Sequence, residues 1–169
     1  MGESTSELTG VFEQMHFGKE VFRAKGTFQS VRGKGWVNRV ICWFIGVPIS
    51  AQPKEFIFEI NPVDGSWKRT FCSHAFTTKT KMEGGVFKES KGIFDFEFNL
   101  VTQVNTMRYD LISFKTLKIP IPKKWQVIPK AFGEQTGTNT WNFQVEIFSP
   151  LNHLVLCYKG EAEVIVDYS

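Results

Sequence analysis

Cysteine is scarce in this chain, and the few present lie far apart. Cys42, Cys72 and Cys157 are odd in number and lack close spacing, which argues against a disulfide framework or a zinc site. Reduced thiols in a cytoplasmic protein are the expectation. His16, His74 and His153 are scattered without metal-ligand spacing, so neither a metal nor a cofactor is expected. Charge of one sign is also lacking. The net charge is +3, with Lys and Arg spread along the chain, which is too little to imply nucleic acid. The basic stretch from Arg32 to Arg39 holds Trp36 and Val37 and reads as a solvated helix face. No apolar run approaches a membrane span, no charged-then-apolar leader pattern appears, and no Asn-x-Ser/Thr acceptor occurs. Met1-Gly2 through Ser6 fits a loose myristoylation pattern, but Glu3 is a poor neighbour for it, and a flexible polar stretch over residues 1–9 is the expectation.

The usual signatures of catalysis are missing as well. There is no His-Glu-x-x-His, no Gly-x-Ser-x-Gly and no phosphate-cradling glycine loop. Ser73 and His74 are neighbours on a strand and point to opposite faces, a poor nucleophile and base pair. Asp95 and Glu97 share a face, but it is the polar face of an amphipathic strand.

Aromatic residues are abundant: 17 Phe and 5 Trp in 169 residues. Side chains of this size line cores and apolar pockets. They also alternate. Phe22, Ala24, Gly26 and Phe28 share one parity; so do Phe56, Phe58 and Ile60, and Trp67, Arg69 and Phe71. Phe94, Phe96, Phe98 and Leu100 make the clearest strand, followed by Met107, Tyr109 and Leu111. Trp141, Phe143, Val145 and Ile147 alternate in turn, and a last strand runs from His153 to Tyr168. A period of two means strands with one buried face. Pro62 to Gly65 and Glu83 to Gly85 are turn chemistry.

Other segments read differently. Thr77 to Met82 is a polar, edge-like strand. Lys118 to Lys130 is a rim loop or short helical excursion anchored by Trp125, because Pro120 and Pro122 cannot sit in a central strand. Gly133 to Asn139 is a polar turn. Val11 to His16 suggests a short helical turn, and Trp36 to Ile45 has the spacing of one longer helix, stopped near Gly46 and Pro48.

Many short strands, each with an apolar face, imply a sheet curled on itself. The expected fold is therefore mainly all-β: an antiparallel, lipocalin-like barrel or strongly curved sheet over residues 10–169, with one helix at its mouth. A helix-grip arrangement would need a long C-terminal helix, and the chain ends on a strand.

A few polar residues fall on inner faces. Arg69 lies between Trp67 and Phe71, and a buried guanidinium needs a partner; Glu89, on the parity of Phe87, is the candidate. Tyr158 offers a hydroxyl from the inner face of the last strand, and His16 sits among apolar residues of the entry segment. Trp67, Phe71, Phe94 and Phe96 would line a ligand cavity, together with Phe98, Tyr109, Trp141 and Phe143.

Several fragments also resemble a known family. These are His16 with Gly18, Gly35 to Arg39 leading to Gly46-Val47-Pro48, and Trp67-Lys68-Arg69-Thr70-Phe71. Gly85 to Glu89 leading to Gly92, Pro120 and Pro122 before Trp125, and Cys157-Tyr158-Lys159-Gly160 complete the set. In order and spacing they are similar to a bacterial domain of unknown function, number 4166, often fused to short-chain or saccharopine-dehydrogenase-like domains. The resemblance spans His16 to about Gly160 and implies no established activity.

The residues themselves suggest binding of a small apolar molecule. In an isomerase or cyclase without cofactor, Arg69 would stabilise an oxyanion, Glu89 or His16 would move a proton, and Tyr158 would donate a hydrogen bond. A non-catalytic lipid or pigment carrier, or an interaction module with a filled core, are the alternatives. Partners would be the small apolar molecule, without nucleic acid or a membrane span; the patterns leave the oligomeric state open.

Overall fold

The structure is a computed structural model that describes residues 10–36, 38, 39, 42 and 46–165. The amino-terminal glycine signal and polar tail lie outside the described residues. So do several positions of the expected helix and the end of the last strand.

Eleven antiparallel strands form among the described residues. Their element order is α1 (Val11–Phe17), β1 (Phe22–Arg32), β2 (Lys54–Asn61), β3 (Ser66–Phe71), β4 (His74–Glu83), β5 (Val86–Lys91) and β6 (Phe94–Gln103). Then come β7 (Thr106–Thr116), β8 (Ile119–Pro120), β9 (Ile128–Gln135), β10 (Thr140–Phe148) and β11 (Leu154–Val164). Consecutive strands pair, β6 pairs β7, and β1 pairs β11, so ten strands close into an up-and-down barrel; the two-residue β8 rides on β7. The closure buries the alternating apolar faces and pairs the strand edges, except where β7 and β9 part beyond Tyr109.

The barrel has two distinct ends. At one, α1 acts as a plug: Val11, Phe12 and Met15 are buried, three or four residues apart on one helical face. Gly133 makes room for this plug, because a side chain there would meet the Phe12 ring at 3.0 Å. The other end is the mouth. Within the expected helix, Trp36, Asn38, Arg39 and Cys42 are helical. The Asn38 amide donates to the Leu154 carbonyl, and the Cys42 thiol reaches that of Val155, which ties this segment to the start of β11 at the mouth.

Two glycines set the curvature between β1 and β11. A Cβ on Gly26 would lie 1.9 Å from the Glu161 oxygen, and one on Gly160 would lie 1.9 Å from the Thr27 oxygen. Only glycine permits backbones to approach this closely.

Four sequence expectations are corrected. Residues 128–135 are not loop and turn but strand β9, which completes the barrel between β7 and β10; its inner positions are Pro129, Ala131, Gly133 and Gln135, too small or polar to give an alternating signal. The stretch from Thr77 to Met82 is not an edge, since β4 is paired on both sides. Trp125 anchors nothing: it ends a short 3-10 turn (Lys123–Trp125) and is 65% exposed. Its neighbours Ile119 and Pro120 do form a strand, the short β8, but only as a hairpin on β7, where proline is tolerated.

Candidate ligand-binding site

Inward-facing side chains leave a cavity of about 470 Å³ between the plug and the mouth. Its wall is aromatic. From β3 come Trp67 and Phe71, from β6 come Phe94, Phe96 and Phe98, from β7 comes Tyr109, and from β10 come Trp141 and Phe143. Phe56 ties the two sides together, 5.1 Å from Phe71 and 4.9 Å from Phe143 between ring centroids. Phe96 stacks nearly parallel on Phe114 at 4.7 Å. Such contacts hold the wall in fixed rotamers.

One side of this wall is polar. Arg69 on β3, Thr78 on β4 and Glu89 on β5 occupy inward positions of three successive strands. Arg69 Nη1 donates to Glu89 Oε1 at 2.9 Å and to Thr78 Oγ1 at 3.2 Å, and the Thr78 hydroxyl donates to the same Glu89 oxygen at 2.7 Å. The Arg69 and Glu89 side chains are only 15% and 18% exposed. The guanidinium carbon also lies 5.4 to 5.8 Å from the ring centroids of Trp67, Phe58 and Phe76, within cation–π range. Burial alone would pull the Arg69 guanidinium below its ordinary pKa, but the Glu89 carboxylate outweighs this and holds it above. The charge of the pair therefore balances inside the barrel.

Tyr158 enters from β11 and packs edge-on against Phe71 at 5.4 Å. Burial pushes its hydroxyl up to about 12, so it is a hydrogen-bond donor at any physiological pH. Its hydroxyl has no hydrogen-bond partner among the described residues. Arg69, Glu89 and Tyr158 all line the cavity.

His16 does not line it. It sits on the plug helix, with its ring 5.2 Å from Trp67 and 5.4 Å from Phe87, and its Nε2 lies 2.7 Å from the Tyr109 hydroxyl. It faces a smaller recess of about 250 Å³ behind the plug. Phe12 and Met15 take the cavity-facing positions on α1, which leaves His16 to the flank. Burial lowers its pKa to about 3, and its Nδ1 is buried without a partner.

Sequence reasoning missed two polar cavity residues. Thr78 shares parity with Phe76 and Met82, a signal obscured by the polar look of β4. Lys91 shares parity with Phe87 and Glu89; its ammonium sits 3.7 Å from the Phe76 ring centroid, and burial lowers its pKa. No three His, Cys, Asp or Glu side chains cluster in a way that could hold a metal ion among the described residues.

Comparison with known proteins adds the family and the fold. No curated protein matches the chain. Among solved structures it is similar to a protein of unknown function from the DUF3598 family of Nostoc punctiforme PCC 73102. The TM-score is 0.57 and the identity 8%, with 85% of this chain and 47% of that chain covered. The chain thus spans about half the length of that protein, and the likeness is one of fold. A family model described as "Domain of unknown function (DUF4166)" matches residues 7–161, and the chain belongs to that family.

Proposed function

We propose that the barrel binds a small, largely apolar molecule that carries one neutral polar group. The observation that supports this reading is the cavity itself, an aromatic-walled space of about 470 Å³ with Arg69, Thr78 and Glu89 gathered on one side and Tyr158 entering from β11. That volume falls within the roughly 300–1,000 Å³ typical of small-molecule sites. The polar side selects the chemistry. Arg69 already faces Glu89, so a ligand carboxylate would meet a carboxylate beside the arginine. A carbonyl or hydroxyl oxygen would instead accept from Tyr158 or from the remaining guanidinium N–H groups without adding charge.

A carrier needs nothing more than this. A catalytic version draws on Glu89, the one carboxylate among the described lining residues, and on Tyr158, which lines the same cavity. Arg69 would then face an oxygen that gains charge in the transition state, in a proton-moving reaction such as isomerisation or cyclisation.

Native mass spectrometry of the purified chain tests the binding reading directly. The expected result is a co-purified organic adduct, or saturable uptake of an apolar dye that a fatty alcohol displaces. A bulky replacement on the cavity wall, Val145→Trp, should abolish uptake while the fold persists. Dye uptake that appears only on partial unfolding, or is unchanged in Val145→Trp, would overturn the proposal.

A further inference from the structure

The connection between β7 and β9 departs from the composition of the rest of the chain. From Leu117 to Val127 it carries Lys118, Lys123 and Lys124 and no acidic residue. Its positive charge of three equals the net charge of +3 of the entire chain. Leu117, Ile119 and Trp125 are exposed in the same stretch. Apolar and basic side chains are thus interleaved on one projection.

Its turn chemistry is equally unusual. Leu117 and Lys118 both have positive φ, 53° and 65°, in the two-residue turn joining Thr116 to Ile119. A turn of this kind strongly prefers Asn-Gly, since most side chains resist left-handed backbone. The residues present suit neither turn geometry nor burial. They hold a leucine and a lysine out at the tip.

The topology puts this projection at the mouth. Strands β7 and β9 pair only from Thr106 to Tyr109, near the plugged end. Further up, β7 pairs with β8 instead, so the wall between β7 and β9 parts toward the mouth. Val127 and Pro129 at this parting line the cavity. Other connections at the mouth add exposed Trp36, Ile93 and Leu151. Trp36 and Trp125, the two exposed tryptophans among the described residues, therefore both lie at this end, whereas Trp67 and Trp141 are buried. The plugged end also exposes Val63 and Val104, but its charges are mixed and paired, Lys79 with Asp64 and both Lys81 and Lys88 with Glu83.

We infer that the mouth of the barrel docks on an anionic lipid surface, with Trp125, Leu117 and Ile119 entering the interface and Lys118, Lys123 and Lys124 meeting lipid headgroups. Tryptophan favours the boundary between headgroup and acyl chain. Apolar side chains interleaved with lysine bind where burial and attraction to acidic lipid add together. Docked in this way, the parting between β7 and β9 faces the bilayer, which is a reservoir of apolar molecules. The docking step does not depend on the cavity ligand, but its use for ligand transfer rests on the binding reading above.

Vesicle co-sedimentation of the full chain tests the docking. Phosphatidylcholine vesicles containing about one third phosphatidylglycerol should bind the protein at low salt, pure phosphatidylcholine should bind it weakly, and high salt should release it. Lys123→Glu with Lys124→Glu, and separately Trp125→Ser, should each lower partitioning about tenfold or more. Lys19→Glu with Lys81→Glu makes the same charge change at the plugged end and should leave binding near wild type. These side chains are exposed, so near-ultraviolet circular dichroism and dye uptake should be unchanged in every variant. Absence of binding to the acidic vesicles at low salt overturns the inference, as does an equal loss in the plugged-end variant. Dye uptake is read separately, so failure of docking and failure of the cavity reading are distinguishable.

Discussion

Removing Arg69 should destabilise the barrel more than removing any exposed charge. Arg69→Met removes the 2.9 Å ion pair and the 3.2 Å bond to Thr78, together with the guanidinium's contacts to three rings. It leaves Glu89 with only the Thr78 hydroxyl. Breaking a fully buried pair costs about 3–5 kcal/mol. Here the partners keep 15% and 18% exposure, so about 2–4 kcal/mol is expected. Glu89→Gln should cost about 1–3 kcal/mol, because an amide oxygen can still accept from Arg69 and Thr78. The double change Arg69→Met with Glu89→Leu removes both charges at once, and its cost should fall well below the sum of the single losses. Urea denaturation monitored by tryptophan fluorescence reads these differences as midpoint shifts at constant slope. Additive losses would refute the coupling, and single losses under about 0.5 kcal/mol would refute the burial argument.

Three further outcomes follow from individual residues. Burial lowers the His16 pKa from 6.5 to about 3; between those values the unfolded chain binds a proton that the folded chain refuses. His16 therefore supports stability fully above about pH 6.5 and loses that contribution as pH falls toward 3, at up to about 1.4 kcal/mol per unit. Denaturation at pH 7 and pH 4.5 should show a shallower acid loss in His16→Gln; an unchanged slope would count against a neutral buried imidazole. Of the three tyrosines, burial keeps Tyr158 protonated to about pH 12 and raises Tyr109 well above its ordinary value, so phenolate absorbance should show at most one group titrating near pH 10 before unfolding. Gly160→Ala would drive a methyl group into the Thr27 carbonyl and should cost about 3 kcal/mol; a variant with an unchanged denaturation midpoint would mean that the β1–β11 crossing relaxes freely.

The barrel was legible because its inner faces repeat one chemistry with a period of two. Phe94, Phe96 and Phe98 cannot alternate so regularly with Asp95, Glu97 and Asn99 unless a wall separates them. Parity likewise carried Arg69 and Glu89 to the same interior, although they are 20 residues apart and pair directly across the intervening β4. Strand β9 escaped because its inward residues serve fit rather than hydrophobicity. Gly133 is open so that Phe12 can enter, and Pro129 faces a partner strand without donating to it. Nothing local in Gly133 distinguishes a turn from a socket for a helix eight strands earlier in the chain. Trp125 was misread for a related reason: an aromatic next to prolines resembles an anchor, and only the path of the chain shows that it points outward. His16 is a similar case, because the partition of α1 between cavity and flank depends on how the plug is seated.

The volume of the cavity has an energetic consequence. In well-packed proteins, space left by removed side chains costs about 24 cal/mol per Å³. That rate holds for closed, dry voids; a space of about 470 Å³ that opens at the mouth admits solvent, yet its aromatic walls still forgo packing contacts. A barrel with a purely structural role would not need to forgo those contacts. A chain with 17 Phe could fill its interior by exchanging a few alanine and valine positions, such as Ala131 and Val145, for larger residues. Instead the small residues lie on β9 and β10 opposite the Arg69 cluster, and the plug stops at Phe12 and Met15. This distribution keeps open the space next to the polar groups. An occupant would stabilise the fold by mass action, so protein stripped of apolar molecules by hydrophobic resin should denature at a lower temperature than protein purified directly. Re-addition of the extract should restore the difference. Equal melting of the two preparations, with no adduct in either, would mean that the barrel tolerates the open volume for a reason other than binding.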